Sequence, residues 1–206
     1  FLQGVIDTRK LPFDDRKVDW LFSNPLSDGG QFTGVSDLAM KYGLVPSEVM
    51  PETYSSNNTS QMALQLKTIL RQGGLALRAV YDASPAASAK GKNAAAAEVK
   101  VNPELLKIKE SVLTDVYRIL SLCLGVPPAS FEWSMYDSSD KLVSTEEYTP
   151  LSFYKKYVDE DLDGNYVMLM NDPTREYGKV YEIDYDRHVY DGKNWLYVNL
   201  PIERIR

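Results

Sequence analysis

Cysteine and histidine set the first limits on what chemistry these 206 residues can do, because there is one of each, Cys123 and His188. One Cys and one His exclude an internal disulfide and a Cys/His zinc site within the chain. A Cys/His nucleophile and base pair is formally available, but neither residue has the setting for it. Cys123 falls in S-L-C-L-G on the apolar face of a predicted helix, with Arg118 five positions back as the nearest cation. A thiol there reads as structural, since reactive thiolates need a cationic environment. His188 sits in D-Y-D-R-H-V-Y-D-G between a strand and a glycine turn, where Asp186 and Asp191 suit a surface histidine better than a general base. Asp159 to Asn165 (D-E-D-L-D-G-N) copies positions one, three, five and six of a calcium loop. The bidentate Glu required at position twelve is replaced by Met170 inside a predicted strand, so a solvated acidic turn is the expected reading and no metal site is assigned.

A different kind of chemistry is offered by Asn24 to Gly43, N-P-L-S-D-G-G-Q-F-T-G-V-S-D-L-A-M-K-Y-G. A proline turn leads to Gly29-Gly30, where bare backbone can approach another chain closely. A helix follows directly over Thr33–Tyr42, with Val35, Leu38, Ala39 and Tyr42 at helical spacing and Gly43 as its C-terminal cap. The start of that helix, at Gly30 to Gln31, presents free N–H groups.

The elements that must position this edge follow from periodicity and punctuation. Asp14–Phe22 is an amphipathic helix burying Val18, Leu21 and Phe22, and it ends before Pro25. Leu44–Tyr54, with two prolines, is an extended, turning connection, and Ser55–Ser60 is a polar loop and cap. Asn57 and Asn58 match the glycosylation sequon but read as loop and cap residues. Met62, Leu66, Ile69 and Leu70 mark a second helix, which Gly73-Gly74 is expected to break or bend. Ala83–Ala97 carries no large apolar side chain and reads as a surface linker or the tip of a helical hairpin. Pro103–Leu124 is a core helix, with Leu105, Ile108, Val112, Val116, Ile119, Leu120 and Cys123 on one face. Beyond Ser130 the pattern turns strand-like. Phe131–Tyr136 alternates, Asp137–Asp140 turns, and Lys141–Val143 returns as a hairpin partner. Thr149-Pro150 opens a short helix through Tyr157. Strands are then expected at Tyr166–Met170, Lys179–Tyr185 and Trp195–Asn199, with Pro201–Arg206 as the first turn of a further helix.

A net charge of −6, a pI near 4.9 and no Lys/Arg cluster argue against nucleic-acid binding. The apolar runs are too short for a membrane span. The chain starts at Phe1 without a signal pattern, so a targeting segment can be missing and localisation stays open.

The run D-G-G-Q-F, a helix ending K-Y-G, then V-P and P-E-T-Y, is joined in order by L-C-L-G-V-P-P, F-E-W, T-P-L-S-F-Y-K-K-Y-V, N-D-P and N-L-P-I. Together these resemble the bleomycin hydrolase and aminopeptidase C branch of the papain-like cysteine peptidases, over most of the chain apart from Ala83–Lys100. The resemblance implies an α+β fold: part of the papain-like helical lobe with an inserted helical hairpin and antiparallel strands. It divides the chain into a helical-lobe segment (1–54), an inserted helical region (55–128, with a mobile linker at 83–100) and a mixed strand and helix region (129–206). It implies a peptidase with a cysteine nucleophile, a histidine base and an orienting asparagine, and no cofactor. Cys123 lacks the Gly-x-Cys-Trp context of the family's nucleophile, and Asn194-Trp195 lacks the serine of its Asn-Ser-Trp segment. The chain is therefore expected to be a central portion, inactive alone, that contributes no catalytic residue. By the same resemblance Asp28, Gly29 and Gly30 form a substrate-binding wall, with Gln31 and Phe32 shaping the adjacent side-chain pocket. Peptide substrates, a homohexamer and a cytoplasmic location are also implied. The competing expectation is a non-catalytic binding or scaffold module built on the same fold.

Overall fold

Leu2, Val5 and Ile6 recur at helical spacing and are all buried, which is why a six-residue helix, α1 (Leu2–Asp7), forms at a place where the sequence pattern announced none. It packs on α5 (Ser60–Ala83) and α7 (Lys92–Leu124), the two long helices of the computed structural model, which describes residues 1–27, 29–90, 92–158, 162, 166–183 and 194–205. The chain gathers into two units by contact: Phe1–Asp28 with Glu52–Val126, and Gly29–Pro51 with Pro127–Arg206.

In the first unit α2 (Arg16–Ser23) begins two residues later than expected. Asp15 is its N-cap, accepting from the Lys17 N–H at 2.8 Å, and Val18 and Leu21 are buried. The loop expected at Ser55–Ser60 instead holds a short helix, α4 (Tyr54–Asn57), because Thr53 and Ser56 close a reciprocal capping box. The Thr53 hydroxyl also donates to the Cys123 carbonyl at 2.7 Å.

Gly73 and Gly74 do not break α5. A Cβ on Gly73 would lie 2.5 Å from Val112 Cγ2, and one on Gly74 would lie 2.9 Å from Phe1 Cζ and 3.0 Å from Phe22. They are there so that α7 and the N-terminal aromatics can approach the helix backbone.

The segment 83–100 takes the hairpin-tip form rather than that of a linker. After α6 (Pro85–Ser88), α7 starts at Lys92, not at Pro103, because the Ala-rich run has the highest helix propensity in the chain. Pro103 lies inside the helix and removes one ladder donor. Val101 and Leu105 flank it at 3% and 1% exposure, so core packing carries the helix through it. The core joins Leu2, Val5, Ile6, Leu70, Leu77, Tyr81, Ala86, Val101 and Leu105, with Ile108, Val112 and Val116 packed against it.

In the second unit α3 (Phe32–Tyr42) leads to a mostly irregular connection and then to a hairpin, β1 (Phe131–Tyr136) and β2 (Leu142–Tyr148). The hairpin is antiparallel from Phe131↔Tyr148 to Tyr136↔Leu142. Its returning strand is longer than Lys141–Val143, and residues 144–147 lack the alternation that would have marked them because they are mostly solvent-facing. In the turn, the Asp137 carboxylate accepts from the Ser139 and Lys141 N–H groups and Asp140 has φ +58°. Helix α8 (Pro150–Tyr157) follows, as expected, from a Thr149/Ser152 capping box with proline at its start. Strands β3 (Met168–Met170), β4 (Val180–Glu182) and β5 (Leu196–Asn199) form a second sheet in the order β3-β5-β4, with β3 and β5 parallel and β4 antiparallel to β5. All three are shorter than the sequence pattern suggests, and the end is a 3-10 turn at Ile202–Arg204.

Candidate substrate-binding edge

The geometry of the Gly29–Phe32 edge is set from its far end. Gly43 closes α3 at φ +81°, with its N–H on the Ala39 carbonyl at 2.8 Å. Leu44 N–H then donates to the Pro150 carbonyl at 3.0 Å. A Cβ on Gly43 would sit 2.1 Å from the Pro150 carbonyl carbon, so glycine is required here both by the dihedral and by the close approach. α3 is thereby clamped to the first turn of α8.

α8 in turn stands on the hairpin through an aromatic cluster. Trp133 meets Phe153 edge-on at 5.3 Å and Tyr157 at 5.2 Å, and Phe153 meets Phe131 and Tyr148 at 5.6 Å each. Lys156 donates to Glu146 at 2.7 Å and to the Tyr148 hydroxyl at 2.8 Å. These bonds raise the Lys156 ammonium above its ordinary value, and the bond from Lys156 lowers the Glu146 carboxyl. A Tyr148–Tyr157 hydroxyl contact at 2.9 Å completes the network. In the second sheet, Asn199 is fully buried and ties down the 172–176 turn. It accepts from the Asp172 N–H and donates to the Asp172 and Arg175 carbonyls at 2.9 and 3.1 Å.

At the near end, Gly29, Gly30, Gln31 and Phe32 are all exposed. Gln31 is extended (φ −118°, ψ 169°) and caps α3 with its carbonyl, which accepts from the Gly34 and Val35 N–H groups at 3.0 and 3.3 Å. Its side chain makes no cap hydrogen bond to the helix start. The Phe32 ring packs on Tyr166 at 4.8 Å. Beneath the first turns of α3 lies a cavity of about 130 Å³ lined by Thr33, Ser36, Asp37, Met168 and Trp195. Such an edge can receive an extended peptide by backbone hydrogen bonding, with Phe32 and Tyr166 as an apolar shelf beside it.

The expected apolar stripe of α3 is corrected by the structure. Gly34, Ser36 and Ala39 are its buried residues, whereas Val35, Leu38 and Tyr42 are 59%, 41% and 58% exposed. The small residues of the helix are the buried ones, and the large ones face outward. Nothing local in the sequence marks Tyr166 as a neighbour of Phe32, since the pairing depends on where the segment leading into β3 lies. Asp28, His188 with Asp186 and Asp191, and the acidic run except Leu162 lie outside the described residues. Met170, the failed calcium anchor, is in β3 with its carbonyl accepting from Leu200 N–H. Cys123 is half-buried near the end of α7. Among the described residues no three His, Cys, Asp or Glu side chains are grouped to hold a metal, and no helix is long and apolar enough to cross a membrane.

Comparison with known proteins gives one family over the whole chain: the description Peptidase C1-like family matches residues 1–206. Aminopeptidase C of Lactobacillus delbrueckii subsp. lactis is 36% identical over 208 residues, spanning 100% of this chain and 43% of that protein. Bleomycin hydrolase of Homo sapiens is 30% identical over 211 residues, again with 43% of its length covered. The crystal structure of PepW from Lactobacillus rhamnosis superimposes with a TM-score of 0.84 at 32% identity, over 99% of this chain and 43% of that one. The chain thus spans less than half the length of these relatives.

Proposed function

This chain belongs to the peptidase C1-like family, with the α+β, papain-like fold its sequence resembles, and from that premise we propose that it is the substrate-wall portion of a cysteine aminopeptidase. The full-length protein removes N-terminal residues from peptides by thiolate attack on the amide carbonyl, with proton transfer through a histidine. Nucleophile and base lie outside these residues, and Cys123 plays no part in catalysis. Asp28, Gly29 and Gly30 pair with the substrate backbone as an added strand does, and Gln31 and Phe32 shape the neighbouring side-chain pocket. Assembly as a homohexamer belongs to the same reading.

The observation that carries the proposal is an exposed Gly29–Gln31 segment, extended at Gln31, entering a helix that is fixed at its other end by the Gly43–Pro150 clamp, in a chain whose relatives are named aminopeptidase C and bleomycin hydrolase. Glycine at this edge leaves room for a substrate backbone that any side chain would occupy. The test is hydrolysis of an aminoacyl-arylamide by the full-length protein with and without a thiol-directed inhibitor. Turnover abolished by the inhibitor is expected, and absence of turnover, or turnover indifferent to the inhibitor, removes the assignment.

A further inference from the structure

Arg78 is only 4% exposed, yet none of the ion pairs among the described residues reaches it. Its guanidinium donates to the Thr8 carbonyl at 3.3 Å and to the Leu11 carbonyl, and lies over the Phe13 ring at 4.2 Å. Carbonyl dipoles and a ring face offset part of the desolvation cost but supply no counter-charge. The Nε–H has no acceptor among the described residues.

The side chain lines an open cavity of about 560 Å³ within the first unit, whose wall also carries Arg9, Lys10 and Glu98. Arg9 differs in having a carboxylate partner but shares the unpartnered Nε–H. It donates to the Ile6 carbonyl and to Glu98, each at 2.6 Å, while its buried Nε–H has no acceptor among the described residues. Lys10 meets Glu98 at 2.8 Å with 61% of its side chain exposed, leaving ammonium donors to spare. Three cations therefore share one wall with Glu98 and the exposed Asp82.

We infer that this cavity is a binding site for a small molecule bearing an oxyanion, a phosphate or a carboxylate, received by the second Nη–H groups of Arg78 and Arg9, each Nη having one bond of its own, and by the ammonium of Lys10, the buried Nε–H groups taking no part. Oxyanions present closely spaced acceptors that match such donors, and supply the counter-charge Arg78 lacks. The volume is that of a small-molecule site rather than of a bare ion. Against Glu98 and Asp82 the three cations leave the wall with one net positive charge, which suits an anion better than a metal cation. The inference is independent of the peptidase reading.

Isothermal titration of the full-length protein, at constant ionic strength, with inorganic phosphate and separately with succinate tests it. Saturable one-site binding of at least one anion is expected. Phosphate alone identifies phosphorylated ligands, succinate alone identifies carboxylates, and both identify the shared oxyanion. Lys10→Gln should weaken the binding about threefold or more. Arg78→Met is the direct variant, but it also removes the bonds to Thr8 and Leu11. Lys10→Gln, at an exposed side chain, therefore decides if the Arg78 variant does not fold. Absence of saturable binding of either anion, or an affinity unchanged in Lys10→Gln, overturns the inference.

Discussion

Gly30→Val places a branched side chain on the edge proposed to meet the substrate backbone. It should lower kcat/KM for aminoacyl amides about tenfold or more while leaving the melting temperature nearly unchanged, since Gly30 is exposed. Wild-type kinetics in a folded Gly30→Val protein would remove the residue from the wall. Glu98 makes a prediction of a different kind. Its carboxyl is held at about 2 by the hydrogen bond from Arg9, and then by that from Lys10. The folded value lies below the ordinary one of 4.5, so its contribution is complete above that pH and is lost as pH falls from there through about 2. Glu98→Gln should reduce stability at pH 7 by about 1–2 kcal/mol and flatten the loss of stability between pH 4.5 and 2. Urea unfolding at a series of pH values reads both effects. A Glu98→Gln protein with the wild-type acid profile refutes the assignment.

Helix packing in this chain depends on absent side chains at two crossings. At α5 against α7, Gly73→Ala should destabilise by about 1–3 kcal/mol despite alanine's better helix propensity, because the new methyl would meet both γ-methyls of Val112, at 2.5 and 3.0 Å, on a β-branched side chain that is stiff in a helix. Val112→Ala in the same protein should recover most of that loss, and a double-mutant cycle with no coupling would show that the contact is not what limits the site. At α3 against α8, Gly43→Ala combines a left-handed dihedral with a clash on Pro150 backbone, which cannot rotate away. A loss of about 2 kcal/mol or more is expected, together with faster amide exchange at Leu44, whose N–H is bonded to the Pro150 carbonyl. Both glycines were visible in the sequence with different meanings. Gly43 after Tyr42 reads as a helix cap from its position alone. Gly73 reads as a break, because a helix-internal glycine and a packing glycine are the same letter until the facing helix is known.

At the scale of the whole molecule, the prediction is that the 206-residue chain alone does not hydrolyse an aminoacyl-arylamide that the full-length protein cleaves. Thiol-sensitive turnover by the chain itself would bring Cys123 back into consideration. Residues 29–51 group with residues 127–206, while the stretches on either side of them group with each other, so chain order does not mirror packing. What the sequence determined by itself are features fixed within a few neighbours. They include the Thr149-Pro150 helix start, the alternation of Phe131–Tyr136, the Gly43 cap, and the ordered motifs that carry the family resemblance. Only the tertiary structure decided that α1 exists, since six residues show a helical face only when Leu70, Leu77 and Leu105 are there to cover it. It also decided that α7 runs through Pro103, that α3 turns its large apolar side chains outward, and that Phe32 packs on Tyr166. Each of these depends on what a distant element brings to the contact, and pairwise burial of that kind leaves no local mark on the chain.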